Sequence, residues 1–233
     1  MTKCYTLTQP EKVQLRFQTA NGFKGKPEPK YNIRQGHALL TVSSDHRLRD
    51  YVLIARHFGF IPPWASAVEG QWTAQAFARA ETVHETKMFC DAFQTARCLA
   101  VVDGCYIWDK DENQPYYLRL KSKALFSIAA ISSLNPRFST SLQTVAVLTI
   151  YPNDLVAAIH PRMPMILRPE VETTYLDSTT PLDTLRELFV PYPENEMELY
   201  RVSPKLNKAR SNSKKFIEPI DGVLEQRSWL DNF

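Results

Sequence analysis

A seven-residue segment, AIHPRMP at 158–164, places a histidine and an arginine two residues apart. Pro161 separates His160 from Arg162, and proline fixes φ and disfavours helix at the residue before it. A histidine transfers protons near neutral pH, and an arginine binds a phosphate or carboxylate through two hydrogen bonds. The segment is therefore predicted to be a rigid loop presenting a proton carrier beside a fixed cation. The alternative is a surface turn with a hydrogen-bonded histidine.

Two further segments carry side chains that suit nucleic acid. Trp64 follows two prolines that keep the backbone extended, so it lies in a loop where it can stack on a base or fill the edge of the core. Residues 77–82, FARAET, hold Arg79 and Glu81, which point the same way on a strand. The alternative to a binding role for Arg79 is that these two side chains pair with each other. The basic run at 203–215 is typical of a solvated face and also suits a phosphate backbone.

The four cysteines do not indicate a metal site. They are Cys4, Cys90, Cys98 and Cys105, and no two of them form a Cys-x-x-Cys pair. Their spacing suits neither zinc nor a disulfide framework, so the last three are interpreted as buried thiols in a reducing compartment. No metal and no cofactor are predicted. Cys4 lies near the N-terminus and is a separate candidate.

Length and composition indicate a soluble globular protein. The chain of 233 residues suffices for one large domain or two small ones, with 44% hydrophobic and 23% charged residues. No apolar run approaches the roughly 20 residues of a membrane span. The N-terminal sequence MTKCYT has no apolar signal region, which favours a cytoplasmic location, nucleoid-associated if the protein binds DNA. A net charge of +3 is too small to prove a nucleic-acid partner by itself.

The elements that position these residues are mostly strands. A capping box at Thr8 and Glu11 predicts a first helix to about residue 19, and β-branched and aromatic runs dominate from residue 97 onwards. The predicted strands in that part cover residues 98–102, 105–108, 116–120, 125–131 and 143–151, and a short helix at 153–158 leads into the histidine loop. One α+β domain over 1–220 is expected, with a mainly antiparallel, curled or barrel-like sheet, flanking helices and a tail at 221–233.

Four motifs follow one another in a fixed order and spacing. They are ARAET at 78–82, RCL at 97–99, DG-x-Y-x-W at 103–108 and IH-x-RMP at 159–164. With these motifs the chain resembles the SOS-response-associated peptidase (SRAP) family, whose best-understood members are abasic-site processing proteins. FGFIPPW at 58–64 fits the same pattern, and the resemblance covers residues 1–220. Four motifs in register are far more specific than any one of them.

The resemblance implies a single domain that binds single-stranded DNA in a positively charged cleft. In the family, a cysteine directly follows the initiator methionine. After methionine removal its α-amine attacks the open-chain aldehyde of an abasic site and forms a Schiff base. The thiol then closes a thiazolidine ring, which is a stable DNA–protein cross-link. An asparagine, a glutamate and a histidine assist in this family chemistry.

The chain departs from the family pattern at the positions that carry the chemistry. Aligned without a gap, Thr2 takes the place of the nucleophilic cysteine and Cys4 that of a family arginine. Phe77 takes the place of the asparagine, and Ile107 that of the glutamate. The histidine is retained as His160. Of the catalytic set that the resemblance implies, one side chain therefore remains.

Each replacement has a chemical meaning. Phe77 makes none of the hydrogen bonds of an amide, and Ile107 transfers no proton. Thr2 would expose an α-amine that is partly neutral at cellular pH, with a hydroxyl that is a poorer nucleophile than a thiolate. A reversible Schiff base is therefore the most that is expected. Cys4 as a displaced nucleophile would need cleavage after Lys3, or a thiol acting without an adjacent amine.

The positions that the resemblance assigns to DNA binding are better preserved. Arg79 and Arg162 match family arginines that hold the DNA backbone. Thr149 matches a polar strand position near the lesion, and Trp64 an aromatic that stacks on or wedges beside a base. These four residues suffice for weak, salt-sensitive binding of single-stranded DNA. Nothing in the sequence requires more than a monomer.

Three functional hypotheses follow from the sequence. The first is a SRAP-family protein that binds single-stranded or abasic DNA in the DNA damage response with impaired cross-linking. The second is an active abasic-site processing enzyme or peptidase that uses Thr2, or Cys4, together with His160. The third is a catalytically dead interaction module on the same scaffold.

Overall fold

The computed structural model describes residues 4–19, 21, 27–45, 50–65, 74–109, 114–136 and 142–220. Strands and short helices alternate through this part of the chain. The strands are β1 (Cys4–Leu7), β2 (Lys30–Arg34), β3 (Ala38–Asp45), β4 (Asp50–Phe58), β5 (Phe77–Arg79), β6 (Arg97–Val102), β7 (Gly104–Trp108), β8 (Pro115–Leu120), β9 (Phe126–Asn135), β10 (Leu142–Ile150), β11 (Met163–Pro164), β12 (Ile166–Leu167) and β13 (Met197–Arg201). The α-helices are α1 (Glu11–Phe17), α2 (Cys90–Thr95), α3 (Asp154–Ala157), α4 (Pro169–Leu176) and α5 (Leu182–Glu187). Four 3-10 helices cover Ala80–Thr82, Glu194–Glu196, Pro204–Lys208 and Lys214–Ile217.

Five strands close into a small barrel. Going round the ring, β10 pairs with β4, β4 with β3, β3 with β6, β6 with β9, and β9 with β10. The pairing of β4 with β10 is parallel, and the other four are antiparallel. Strands β5 and β11 add to β10, and β12 adds to β9. The prediction of a mainly antiparallel α+β fold with a barrel-like sheet is confirmed.

Burial along β4 shows which side chains point into the barrel. Ala55 and His57 are exposed, whereas Arg56 and Phe58 are buried. Because side chains alternate along a strand, Arg56 and Phe58 mark the inner face. The strand registers continue this face round the ring through Thr41, Ala100, Cys98, Ala130 and Val145. Mostly small residues line it, as a narrow barrel requires.

A second, antiparallel sheet has the order β13-β8-β7-β1-β2. The turn between β6 and β7 is tied to β1 and the residue after it, because the carboxylate of Asp103 accepts hydrogen bonds from the hydroxyls of Thr6 and Thr8, both at 2.6 Å. The predicted capping box at Thr8 is therefore wrong. The hydroxyl of Thr8 is used by Asp103, and α1 begins after Pro10 without a side-chain cap. Among the described residues, no helix has both the length and the apolar character to cross a membrane.

Candidate functional site

Three segments that are distant in sequence meet at the end of β10. In the strand registers Thr149 pairs with Arg79 of β5 on one side and with Pro164 of β11 on the other. Strand β11 directly follows the histidine loop, so this pairing fixes the loop beside β5. The short α3 before the loop is capped by Asn153, whose side chain accepts a hydrogen bond from the backbone N–H of Val156. The predicted helix ahead of the histidine loop is present.

Arg162 is held from several sides. Its guanidinium donates two hydrogen bonds to the carboxylate of Glu81, each 2.8 Å long. It also donates to the backbone oxygen of Thr149 at 2.5 Å and to the hydroxyl of Thr149 at 3.3 Å. The guanidinium carbon lies 5.0 Å from the centre of the Tyr151 ring, a cation–π contact. The sequence prediction of a fixed cation in this loop agrees with these contacts.

The carboxylate of Glu81 is ionised at neutral pH. Partial burial alone would raise the pKa of Glu81, but the hydrogen bonds from Arg162 outweigh it, and the pKa lies below its ordinary value. The alternative in which Glu81 pairs with Arg79 is wrong, because the carboxylate of Glu81 pairs with Arg162. Glu81 lies in the 3-10 helix Ala80–Thr82, immediately after β5, so the alternation of a strand no longer applies to it. Arg79 is exposed at the end of β5.

His160 is half-buried, and its ring orientation is set by the loop itself. The backbone N–H of Arg162 donates to Nδ1 of His160 at 3.0 Å. The same Nδ1 lies 3.1 Å from the backbone oxygen of Arg162, so the loop offers it both a donor and an acceptor, one for each tautomer of the ring. These contacts fix the orientation of the imidazole. A second constraint is the backbone N–H of His160, which donates to the carbonyl of Val156 at 2.8 Å.

The two remaining binding candidates differ in setting. Thr149 is 4% exposed, and its hydroxyl lies 3.3 Å from the backbone oxygen of Ala78 as well as from Arg162. Trp64 is 40% exposed. Its loop is anchored by the side-chain amide of Asn135, which donates to the carbonyls of Pro62 and Ala65 at 3.0 and 3.1 Å. Thr149 thus belongs to the Arg162 cluster, and Trp64 projects from a separately fixed loop.

Phe77 and Ile107 are both parts of apolar packing. The ring of Phe77 meets that of Phe58 edge-to-face, with centroids 5.7 Å apart. Phe58 in turn contacts Tyr5 at 5.5 Å. Ile107 has no exposed surface and lies in the main core. These two positions supply neither hydrogen bonds nor protons from their side chains.

Of the two nucleophile candidates, the structure describes Cys4. Cys4 has no exposed surface and lies in β1, paired with Arg34 on one side and Tyr106 on the other. This position suits a packed side chain and gives the thiol no direct access to a substrate. Thr2 lies outside the described residues.

The sequence does not predict either partner of Arg162. A strand pattern points Glu81 to the same side as Arg79, and Tyr151 belongs to none of the motifs. Tyr151 stands two residues beyond Thr149 and directly follows β10, and this position is the signal that could have indicated it. No local signal indicated Glu81, because its contact with Arg162 depends on β5 and β11 both pairing with β10.

These features define a class of protein: a single α+β domain with a five-stranded barrel and an anchored arginine and histidine at one end of it. The family model described as SOS response associated peptidase (SRAP) matches residues 2–209. The chain belongs to this family.

Several proteins that are similar to this chain in sequence share the name "Abasic site processing protein". The chain is 34% identical over 200 residues to "Abasic site processing protein YoqW" of Bacillus subtilis, covering 84% of this chain and 88% of that protein. It is 25% identical over 239 residues to "Abasic site processing protein HMCES" of Xenopus tropicalis, covering 89% and 70%. A crystal structure of a protein from Bacteroides thetaiotaomicron superposes with a TM-score of 0.78 at 20% identity, covering 94% and 98%. The likeness to this crystal structure shows the fold. The match of the family model confirms the predicted family.

Proposed function

We propose that this protein binds single-stranded DNA, including DNA with abasic sites, and that its covalent chemistry stops at a reversible Schiff base. The observation that carries the proposal is a contrast at the candidate site. Arg162, Thr149 and His160 are held together by hydrogen bonds, whereas Phe77 and Ile107 are built into apolar packing. The names of the relatives supply the substrate class.

Binding rests on the arginines at the end of β10. Arg79 is exposed and lies next to Thr149 in the strand register, so its guanidinium is available to a DNA phosphate. Arg162 is paired with Glu81, which holds it in place and cancels much of its charge. Binding is therefore weak and sensitive to salt, with Arg79 supplying the larger electrostatic part. Trp64 supplies a surface on which one base stacks.

The chemistry begins at the N-terminal amine exposed when Met1 is removed. The amine of Thr2 adds to the aldehyde carbon of the open-chain abasic site and gives a carbinolamine. His160 in its imidazolium form donates a proton to the departing hydroxyl and becomes neutral, water leaves, and the C=N bond forms as a protonated imine. The hydroxyl of Thr2 adds to this bond less favourably than a thiol would. Water reverses the imine, so no stable cross-link accumulates.

A denaturing gel tests the proposal. Protein with its native N-terminus is incubated with an oligonucleotide carrying one abasic site, with and without borohydride, which reduces an imine to a stable amine. A shifted band in the borohydride lane alone is expected. The control is a protein with a blocked N-terminus, which should give no band in either lane. A band without reductant would show that cross-linking is intact and would overturn the proposed impairment.

A second candidate function is a hydrolase with His160 as general base on Thr2. That role needs a lone pair on Nε2, which His160 has when its Nδ1 donates to the backbone oxygen of Arg162, 3.1 Å away. The burial of Cys4 does not favour its use as a displaced nucleophile.

A further inference from the structure

We propose that the protein has a second anion site, at the other end of the barrel, that takes a phosphate group. The site is a cavity of about 220 Å³ lined by Arg56, Arg97 and several serines. A single water needs about 10–15 Å³ of such space, so the cavity has room for a small oxyanion with its water. The site is independent of the proposed DNA function.

Arg56 is the centre of this site. It points to the inside of the barrel and is 7% exposed. A guanidinium has five N–H donors, and among the described residues the hydrogen bonding of Arg56 consists of one bond from Nη1 to the hydroxyl of Thr41. That hydroxyl donates onward to the carbonyl of Ile54 at 2.7 Å. Most of the donors of Arg56 therefore remain available to the cavity.

The charge of Arg56 lacks a counter-ion within the described part of the chain. No carboxylate is among the described residues that line the cavity, and Arg56 makes no ion pair with any described residue. A buried charge without a partner costs several kcal/mol. A bound anion would offset this cost and would accept the unused guanidinium hydrogens.

Serine hydroxyls supply further donors at this cavity. Ser43 lines it, and Oγ of Ser43 has no hydrogen-bond partner among the described residues. This Oγ is closed off from solvent, so it would reach a bound anion after a change of the Ser43 rotamer. Hydroxyl donors around a guanidinium fork suit a tetrahedral oxyanion better than a planar carboxylate, because the donors approach from several directions. Ser44, Ser132 and Ser178 add three further hydroxyls to the lining.

Arg97 contributes charge and rigidity. Its guanidinium donates to the carbonyls of Phe93, Tyr175 and Asp177 at 2.6, 2.7 and 2.5 Å, which ties α2 and the end of α4 to the rim. The side chain of Asp177 is the nearby acid, and it accepts hydrogen bonds from the backbone and hydroxyl of Thr179 at 2.9 and 2.7 Å. Burial lowers the pKa of Arg97, and the nearby Asp177 opposes this change. Arg97 therefore adds a guanidinium at the cavity rim that interacts with Asp177, and Arg56 remains the centre of the site.

The strand registers place this cavity away from the Arg162 cluster. His57 pairs with Thr144, so Arg56 is level with the residue before Thr144 on β10. Thr149 lies six residues further along, which at about 3.3 Å per residue is roughly 20 Å. A phosphate bound at Arg56 therefore does not contact Arg162, and the two sites can be tested separately.

Titration calorimetry with inorganic phosphate tests the site, with chloride holding the ionic strength constant. Saturable binding of one phosphate per chain is expected, with a rise in Tm of about 3 °C at ten times Kd. The Arg56→Gln variant should weaken binding at least tenfold. The matched control Arg168→Gln removes an exposed arginine that pairs with Glu196, and should bind phosphate as the native protein does.

A second variant covers the case in which Arg56→Gln does not fold. Ser43→Ala removes one unpartnered hydroxyl and little volume, and should weaken phosphate binding about threefold. Absence of saturable binding to the native protein, or native affinity in both variants, would overturn the proposal. Competition experiments with a 5′-phosphorylated dinucleotide and its unphosphorylated form identify the molecule from which the bound phosphate group comes. Competition by the phosphorylated form alone supports a nucleic-acid end phosphate, and competition by neither supports free phosphate.

Discussion

The two ends of the barrel each hold an arginine, half-buried in the case of Arg162 and buried in the case of Arg56, and the two side chains have opposite surroundings. Arg162 has a carboxylate, a carbonyl, a hydroxyl and an aromatic ring around its guanidinium. Arg56 has one hydroxyl. A guanidinium surrounded by protein acceptors is accurately placed, but its field is largely cancelled. One with few acceptors is costly to bury and attracts an external anion.

This difference between Arg162 and Arg56 shows that the more accurately positioned arginine is not the one that binds an anion more strongly. Arg162 is suited to hold a DNA strand in register, because its position is over-determined while its net charge is small. Arg56 is suited to bind an ion firmly, because any anion that enters meets unused donors. Sequence motifs alone would rank Arg162 as the stronger anion site, since it lies beside a histidine and matches a family arginine. The contacts reverse that ranking.

The largest expected effect comes from placing an unpaired charge where there is no counter-ion. Ile107 is fully buried in the main core, so Ile107→Glu should lower the free energy of unfolding by more than about 3 kcal/mol. The loss should appear as a reduced midpoint in urea denaturation. The control Ile107→Val should cost about 0.5–1.5 kcal/mol. Native stability of Ile107→Glu would show that this part of the core accommodates a carboxylate, and would weaken the contrast with Arg56.

The next effect concerns the end of the barrel at Arg162. Arg162→Ala removes a charge-assisted contact and the side-chain bonds that tie the histidine loop to Glu81 and Thr149, so its affinity for single-stranded DNA should fall about tenfold. Fluorescence anisotropy at several salt concentrations measures this change. Phosphate binding at Arg56 should be unaffected, because the two sites lie far apart. Loss of both activities in this variant would mean that the two ends are not independent.

The smallest effect is electrostatic and depends on pH. The pKa of Glu81 is lowered in the folded protein, so its pairing contributes stability above the unfolded pKa of about 4.3. That contribution disappears as the pH falls through the folded pKa. Glu81→Gln should therefore cost about 1 kcal/mol at neutral pH, where solvent partly screens the pair. The difference in Tm between native and variant protein should vanish in strongly acidic buffer, and a constant difference would contradict the assigned role.

The sequence predicted the parts of this comparison that rest on local pattern. Apolar, β-branched and aromatic runs predicted the strands, and prolines predicted the histidine loop with His160 and Arg162, because both signals act within a few residues. The motifs predicted the family. The bidentate bond to Glu81 could not be predicted, since a 3-10 helix interrupts the strand pattern directly after Arg79.

Arg56 was not predicted either, for a reason of topology. In the sequence it stands among Ala55 and His57, in a stretch typical of an exposed strand face. Its burial follows from the closure of the ring, which turns one face of β4 towards the inside. Closure depends on the pairing of β4 with β10, two strands that are far apart in the chain. No pattern within β4 carries that information.

The pairing of β4 with β10 closes the barrel and forms its seam, and it has a consequence for how the chain folds. Strands β4 and β10 meet in register at His57 with Thr144 and at Phe58 with Val145, while the hairpins β3–β4 and β9–β10 are long and local. Closing a long loop costs entropy before the contacts form. The hairpins therefore form first and the seam last. The inner cavity that contains Arg56 comes into being at this final step, so any anion it holds is captured by a chain that is already almost folded.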